Sequence, residues 1–346
     1  RAGYALSYSP ADHRRLLTSA SMSGPEASPT SHDEPDQRPP ILVIGGTGHV
    51  GAALCNFLLE RGYPVTAASR SDHPVFLSPA IERIRLDVTD LTDTAPLPPS
   101  ATAVICPWVD GSGGAGPRWI GHLLKRLAGT GTTSVVYFST MWVYGATAEG
   151  LLTESTPTDP TGPYAAAHLH NESVLTDCAQ GLGLGVSILR MANLVGPDPF
   201  YRTRPKVSFA HELVEMAVTD RAIVLRSPPS TPRNLLTRTL LHHDLSVLLD
   251  RRAEVGRVDV FNLGSGSTIT MVELARQVAD LAERYHGRPV KVEHPEESVA
   301  QPAFQLDTTR IRTLAGPGTD DLAAELQLVL EDIVQSHQPV SRTREP

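Results

Sequence analysis

Cysteine is scarce in this chain, falling only at Cys55, Cys106 and Cys178, far apart and each inside apolar sequence. An odd, scattered set of that kind argues against a disulfide framework and fits a reducing compartment. Lysine is scarcer still relative to arginine, occurring only as Lys125, Lys206 and Lys291, and no basic block offsets the formal charge of -8. The electrostatic footprint needed to hold a phosphate backbone is absent, so no nucleic-acid partner is expected. No apolar run approaches the ~20 residues of a membrane-spanning helix, and no charged stretch followed by an apolar one opens the chain. These absences predict a soluble, cytoplasmic protein without a membrane partner. A Gly-x-Ser-x-Gly elbow is also missing, which removes support for a serine hydrolase. Metal spacing is missing too: His168 and His170 diverge on a helix, and His242 and His243 face opposite ways if extended. No metal is expected.

What is present suits a folded enzyme. With 346 residues, 40% of them hydrophobic, the chain can bury a substantial core. Residues 1–40 are rich in Ser, Pro, Asp and His with little periodicity, and predict a disordered extension. From Ile41 the texture changes. ILVIG (41–45), PVTAAS (64–69), RIRLDV (83–88), TAVIC (102–106), SVVYFST (134–140) and GVSILRM (185–191) predict buried parallel strands. Helical spacing fills the stretches between them, at HVGAALCNFLLERG, PRWIGHLLKRLAGTG and PYAAAHLHNESVLTDCAQGLG. Such alternation predicts an α/β fold, a doubly wound parallel sheet over residues 41–195. Pro-rich loops then loosen the pattern, so residues 196–335 are assigned to a smaller substrate-binding lobe with elements returning to the sheet, and 336–346 to a flexible tail.

IGGTGHVG sets Gly45, Gly48 and Gly51 three residues apart, directly after a strand and at the opening of a helix. Glycine there lets the turn close and the backbone approach a pyrophosphate, which the helix N-terminus attracts. A dinucleotide is the expected ligand. The second strand ends in Ser69 and Arg70 where an acidic residue would serve the ribose hydroxyls of NAD, and a guanidinium suits a 2′-phosphate. NADP is therefore favoured, with NAD kept open by Asp72. Asp87 is a candidate adenine contact with Val88 packed beside the ring, although Asp87 equally suits the cap of the following turn.

Further motifs follow in order: FSTMWVYG (138–145), PYAAAH with Glu172 after it, LRMANLVGP (189–197), LLHHDL (240–245), FNLGSGSTITMVELA (261–275) and LDTTRIRTLAG (306–316). With GGTGHVG they make residues 41 to 333 resemble the extended short-chain dehydrogenase/reductases, the NAD-dependent epimerase/dehydratase family. The resemblance implies a Rossmann-type domain with a small C-terminal substrate-binding lobe. It also implies a homodimer formed through two long helices, here 117–129 and 163–181.

In that family hydride moves between nicotinamide and a carbon bearing a hydroxyl or carbonyl. A tyrosine exchanges the oxygen's proton, a Ser or Thr bonds the same oxygen, and a lysine four residues after the tyrosine lowers the phenol's pKa and holds the nicotinamide ribose. Tyr164 falls on the tyrosine, Thr140 on the Ser/Thr, and His168 on the lysine. At this spacing Tyr164 and His168 share a helix face. An ordinary imidazole, with pKa near 6.5, is largely neutral at pH 7, so activation of Tyr164 is expected to be weaker, with a pH profile set by His168. A phenol near pKa 10 is a poor base for alcohol oxidation but an adequate acid for carbonyl reduction.

Sugar dehydratases of the family carry an Asp-Glu pair just after the threonine, where this chain has Met141 and Trp142. Neither exchanges a proton, so 4,6-dehydration is disfavoured, and Trp142 becomes a candidate wall of the substrate cleft. Asn193 falls on an asparagine that touches substrate in sugar-nucleotide members. Their Gly-Asp-Gly turn is absent, and Arg233 and Arg238 straddle the register of the arginine that binds diphosphate. The functional expectation is an NADPH-dependent reductase of a keto-sugar or similar small-molecule carbonyl substrate in specialised metabolism. Two alternatives stand beside it: a sugar-nucleotide epimerase that retains NAD, and a catalytically silent dinucleotide-binding protein.

Overall fold

The computed structural model describes residues 38–70, 77–107, 118–146, 148–198, 208–296 and 303–337. Asp72 and the expected extension over 1–37 and tail over 338–346 lie outside them.

Four-residue apolar runs need cover on both faces, and the chain supplies it by alternating strand with helix. In order come β1 (Ile41–Ile44), α1 (His49–Glu60), β2 (Val65–Ser69), β3 (Glu82–Arg85), β4 (Thr102–Ile105), α2 (Trp119–Gly129) and β5 (Ser134–Thr140). A short 3-10 turn, Met141–Tyr144, then leads to β6 (Gly150–Leu152), α3 (Pro163–Leu182), β7 (Gly185–Met191) and β8 (Asn193–Val195). The remainder is α4 (Phe209–Thr219), β9 (Ala222–Val224), β10 (Pro232–Thr237), α5 (Arg238–Arg251), β11 (Val258–Leu263), β12 (Thr268–Thr270), α6 (Met271–His286), β13 (Lys291–Glu293), β14 (Phe304–Leu306), α7 (Thr309–Ala315) and α8 (Leu322–His337).

The main sheet has seven strands in the order β11-β7-β5-β4-β1-β2-β3, with every pairing parallel. Chain direction across the sheet reverses between β1 and β4, and ligands of such sheets bind outside the carboxyl ends at that point. Period-two alternation divides the core. Ile41, Val43, Val104 and Val136 pack with α1 and α5, whereas Leu42, Ile44, Ile105, Val135 and Tyr137 pack with α2 and α3. β3 departs from the expected buried strand because it lies at the sheet edge, where Glu82, Arg83 and Arg85 are exposed. After residue 195 the chain returns to the main sheet once, as β11 at the edge beside β7.

A second core, built from Ala210, Val214, Leu274, Val278, Val329 and Ile333, joins α4, α6 and α8. The small sheets β12-β10-β8, β13-β9 and β14-β6 sit among these later elements. Local caps fix the helices: Thr270 and Glu273 form a reciprocal capping box on α6, which ends on left-handed Gly287. The packed chain also begins earlier than the composition suggests. Arg38, assigned to the extension, bonds Tyr63 Oη at 2.5 Å and Asp250 at 2.8 Å.

Candidate active site

At the carboxyl end of β1 the turn Gly45–Gly48 enters α1. Gly45 is left-handed, at φ +81°, and a Cβ there would lie 2.3 Å from the carbonyl oxygen of Cys106. A Cβ on Gly51 would lie 2.2 Å from the carbonyl oxygen of Gly45, so the helix presses directly on the turn. Gly46, which the triplet spacing passes over, is equally tight, with a Cβ there 2.8 Å from that of Ala67. Gly48 is the N-cap of α1 and supplies no side-chain hydrogen bond. The uncapped first turn and close-packed glycines fit a diphosphate, held by backbone N–H groups. Gly45→Ala is expected to lower the urea midpoint and abolish dinucleotide uptake; wild-type values of both would contradict this role for the turn.

Beside the turn, Ser69 ends β2 partly buried, and Arg70 follows it exposed. Val88 packs against the α2-side core. Asp87 Oδ1 accepts from Thr89 N at 3.0 Å and Thr89 Oγ1 at 2.7 Å, so one oxygen caps the turn as the sequence allows.

β5 carries Thr140 at its carboxyl end, and α3 brings Tyr164 to it. Thr140 is buried, accepts from Trp142 N at 3.3 Å and shares a hydrogen bond with the Tyr164 side chain. The Tyr164 ring remains 38% exposed, so its hydroxyl is anchored while its surface stays open. Burial raises the Tyr164 pKa and the Thr140 bond opposes that rise only in part. The phenol is therefore protonated at neutral pH.

His168 lies one turn along α3, its ring 4.7 Å from that of Tyr164 and nearly perpendicular to it. It is 2% exposed, and burial pushes its pKa down from 6.5 to about 4. The expectation that His168 titrates near neutrality and shapes the pH profile there is thus corrected: the interior disfavours imidazolium. Nδ1 bonds Tyr137 Oη at 2.9 Å, while Nε2 is buried without a hydrogen-bond partner among the described residues. Between the two pKa values the unfolded chain binds the proton and the folded one does not, so stability falls as pH drops from 6.5 towards 4. The term is on the order of 3 kcal/mol. Urea midpoints from about pH 7 to about pH 4 are expected to fall less steeply for His168→Gln than for the wild type; parallel slopes would count against a buried neutral ring.

Below this pair lies a polar network centred on Glu172. Ser139 Oγ donates to Glu172 Oε1 at 2.5 Å, and Arg190 pairs with Glu172 through Nη2 at 2.7 Å and Nε at 3.1 Å. Arg190 Nη1 donates to Tyr144 Oη at 3.1 Å, which donates to Asn262 Oδ1 at 2.6 Å. Four elements, β5, α3, β7 and β11, are tied together beneath the cleft. Glu172 stands eight residues after Tyr164 and four after His168, and that spacing was the available signal.

The substrate candidates separate. Trp142, in the 3-10 turn, meets Phe304 edge-on at 6.5 Å between centroids and Met141 is fully buried, which suits an apolar wall. Asn193, at the start of β8, spends its amide N–H on the carbonyl of Asn234 at 3.0 Å. Arg233, on β10, donates to Pro232 O at 2.9 Å and lies over the Phe209 ring at 5.9 Å. Burial lowers its pKa, and it makes no ion pair with a carboxylate among the described residues. Arg238 is different: it is buried at the start of α5, where its charge acts on Glu325 and Asp332 of α8. Its charge lowers the pKa of both carboxylates, whose burial raises them. His242 and His243 are helical rather than extended; His242 stacks on Phe57 at 4.1 Å, and His243 bonds Asp244 at 3.1 Å. No cluster of three metal-binding side chains occurs among the described residues.

Residues 41–106 and 121–228 match the NAD dependent epimerase/dehydratase family. The chain belongs to that family. Among curated relatives, the UDP-glucose 4-epimerase of Azospirillum brasilense is 26% identical over 285 residues, 72% of this chain and 79% of the relative. That of Corynebacterium glutamicum is 27% identical over 284 residues, covering 76% and 85%. A solved structure of MoeE5 with UDP-glucuronic acid and NAD superposes with a TM-score of 0.70 at 22% identity, over 86% of this chain and 99% of that one. The epimerase/dehydratase fold therefore extends through the second core as well as the sheet. This family member differs from the pattern its resemblance implies at His168, whose ring meets both Tyr137 and Tyr164.

Proposed function

We propose that this family member is a sugar-nucleotide epimerase that keeps its NAD and inverts a hydroxyl-bearing carbon by oxidising and re-reducing it. The observation that carries the reading is the Thr140–Tyr164 hydrogen bond at the carboxyl end of β5, on the same edge of the parallel sheet as the glycine turn after β1. It is supported by the UDP-sugar 4-epimerases that share most of their length with the chain. They favour this reading over the NADPH-dependent reductase.

A bound nicotinamide would supply hydride acceptance and return, and its positive charge would favour the ionised phenol. Tyr164 exchanges the proton of the reacting hydroxyl, and Thr140 fixes the same oxygen. The glycine turn would hold the diphosphate of the dinucleotide, His168 a ribose hydroxyl, and Arg233 the diphosphate of the sugar nucleotide. Trp142 excludes water from one side. Because burial raises the Tyr164 pKa and the Thr140 bond offsets that only in part, the base form is favoured by the cofactor's charge, and turnover is expected to be slow.

The reductase remains as a second reading on a specific ground: the phenol is held protonated, ready to act as acid, and Arg70 is exposed where a 2′-phosphate would lie. Incubation with UDP-glucose and related UDP-sugars, without added cofactor, separates the two. The epimerase converts one sugar configuration into another, followed by proton NMR, with no net dinucleotide change. Steady NADPH consumption with a keto-sugar, and no interconversion, would replace it with the reductase.

A further inference from the structure

The position after Tyr164 that the family resemblance assigns to lysine must donate a hydrogen bond to a ribose hydroxyl. An ammonium can only donate, whereas a neutral imidazole donates from one nitrogen and accepts at the other. His168 can replace it only if the correct nitrogen carries the proton.

Three buried groups decide which one does. Tyr137 is fully buried on β5, and its hydroxyl has a single proton. Asn171 Nδ2, one turn along α3, donates to Tyr137 Oη at 2.9 Å and so occupies a lone pair of that oxygen. His168 Nδ1 stands at 2.9 Å from the same oxygen. With Asn171 donating, the Tyr137 proton has Nδ1 as its acceptor. The alternative, Nδ1–H also donating to Tyr137, would leave the phenolic proton buried without an acceptor, a costly arrangement. Nδ1 is therefore bare and Nε2 carries the hydrogen. Nε2 lies across the ring from Tyr137, is buried, and has no partner of its own among the described residues.

We infer that Tyr137 and Asn171 are positioning residues that hold His168 as the neutral Nε2–H tautomer, making it a fixed donor for a ribose hydroxyl at the place of a lysine. The idea rests on the dinucleotide-binding reading for the identity of the acceptor, but the tautomer itself does not. Burial of His168 agrees with it by keeping the second proton off. The consequence for function is specific. This site retains the donor role of the missing lysine and gives up its charge, so the ribose is still held while Tyr164 loses its cationic neighbour.

The test is a ring nitrogen spectrum of the full chain grown with 15N-labelled histidine, with His168 assigned by its absence in His168→Gln. At neutral pH, Nδ1 is expected to give the unprotonated signature and Nε2 the protonated one. In Tyr137→Phe, whose fold is checked by its backbone amide spectrum, the tautomer is expected to move towards Nδ1–H. A proton on Nδ1 in the wild type would overturn the inference, as would a folded Tyr137→Phe with an unchanged ring spectrum. Should Tyr137→Phe fail to fold, the wild-type spectrum alone still decides. Titration with NAD adds a separate arm: a shift confined to Nε2 is expected, with affinity about tenfold weaker in Tyr137→Phe. An Nε2–H tautomer without any response to NAD would keep the positioning role and remove the ribose as its purpose.

Discussion

Tyr164→Phe is expected to lower turnover of a sugar nucleotide by about two to four orders of magnitude, the range of a lost acid/base group. Dinucleotide binding should be almost unchanged. The reason is local: the hydroxyl is bonded to Thr140 while the ring stays partly open, so its loss removes a proton carrier without opening a cavity. The fold should therefore survive with its melting behaviour intact. Because burial keeps the phenol protonated in the free protein, the activity of the wild type is expected to rise with pH through the neutral range as the base form is populated. Stopped assays of substrate interconversion, paired with dinucleotide titration, check both parts. A variant that turns over at the wild-type rate would remove Tyr164 from the reaction.

Arg190→Leu carries the largest expected loss of stability. It strips the partner from Glu172, which is 4% exposed and cannot be rehydrated in place. Removing one member of a buried ion pair costs about 3–5 kcal/mol, because the other is left uncompensated. Ser139 still donates to Glu172, which offsets part of the penalty, whereas Tyr144 loses the donor that held its oxygen. Replacing both members, Glu172→Leu with Arg190→Leu, should be less damaging than the sum of the single changes. Urea unfolding of the three variants checks this. A loss below about 1 kcal/mol for Arg190→Leu would show that the pair is not buried as described.

Much of the sheet could be read from the residues. SVVYFST and GVSILRM coincide with β5 and β7 because strands buried on both faces must be apolar throughout, and glycine marks the ends of their neighbouring helices. The three-residue strands β6, β8, β9, β12, β13 and β14 escaped because three residues show no period at all. They form through contacts between distant parts of the chain, as where Phe304–Leu306 pairs with Gly150–Leu152.

The site divides in the same way. Glycine turn, Thr140 and Tyr164 announced themselves by motif, and the structure places Thr140 and Tyr164 in contact. Arg233 and Arg238 could not be told apart by spacing, since what separates them is the distant α8, whose Glu325 and Asp332 feel the charge of Arg238. Tyr137 and Asn171 resembled ordinary core and helix residues until the sheet and α3 were brought together. Their role exists only in three dimensions: a phenol from one element meets one ring nitrogen of an imidazole on another, with an amide donating to the same oxygen.

The central claim is that a nicotinamide dinucleotide resides beside Tyr164 and Thr140. Its most direct test is to denature the purified chain, identify any released dinucleotide by mass, and titrate the stripped, refolded protein with NAD and NADP separately. NAD is expected to be released in a stoichiometric amount, or taken up in preference to NADP. A chain that releases neither and binds neither would contradict it.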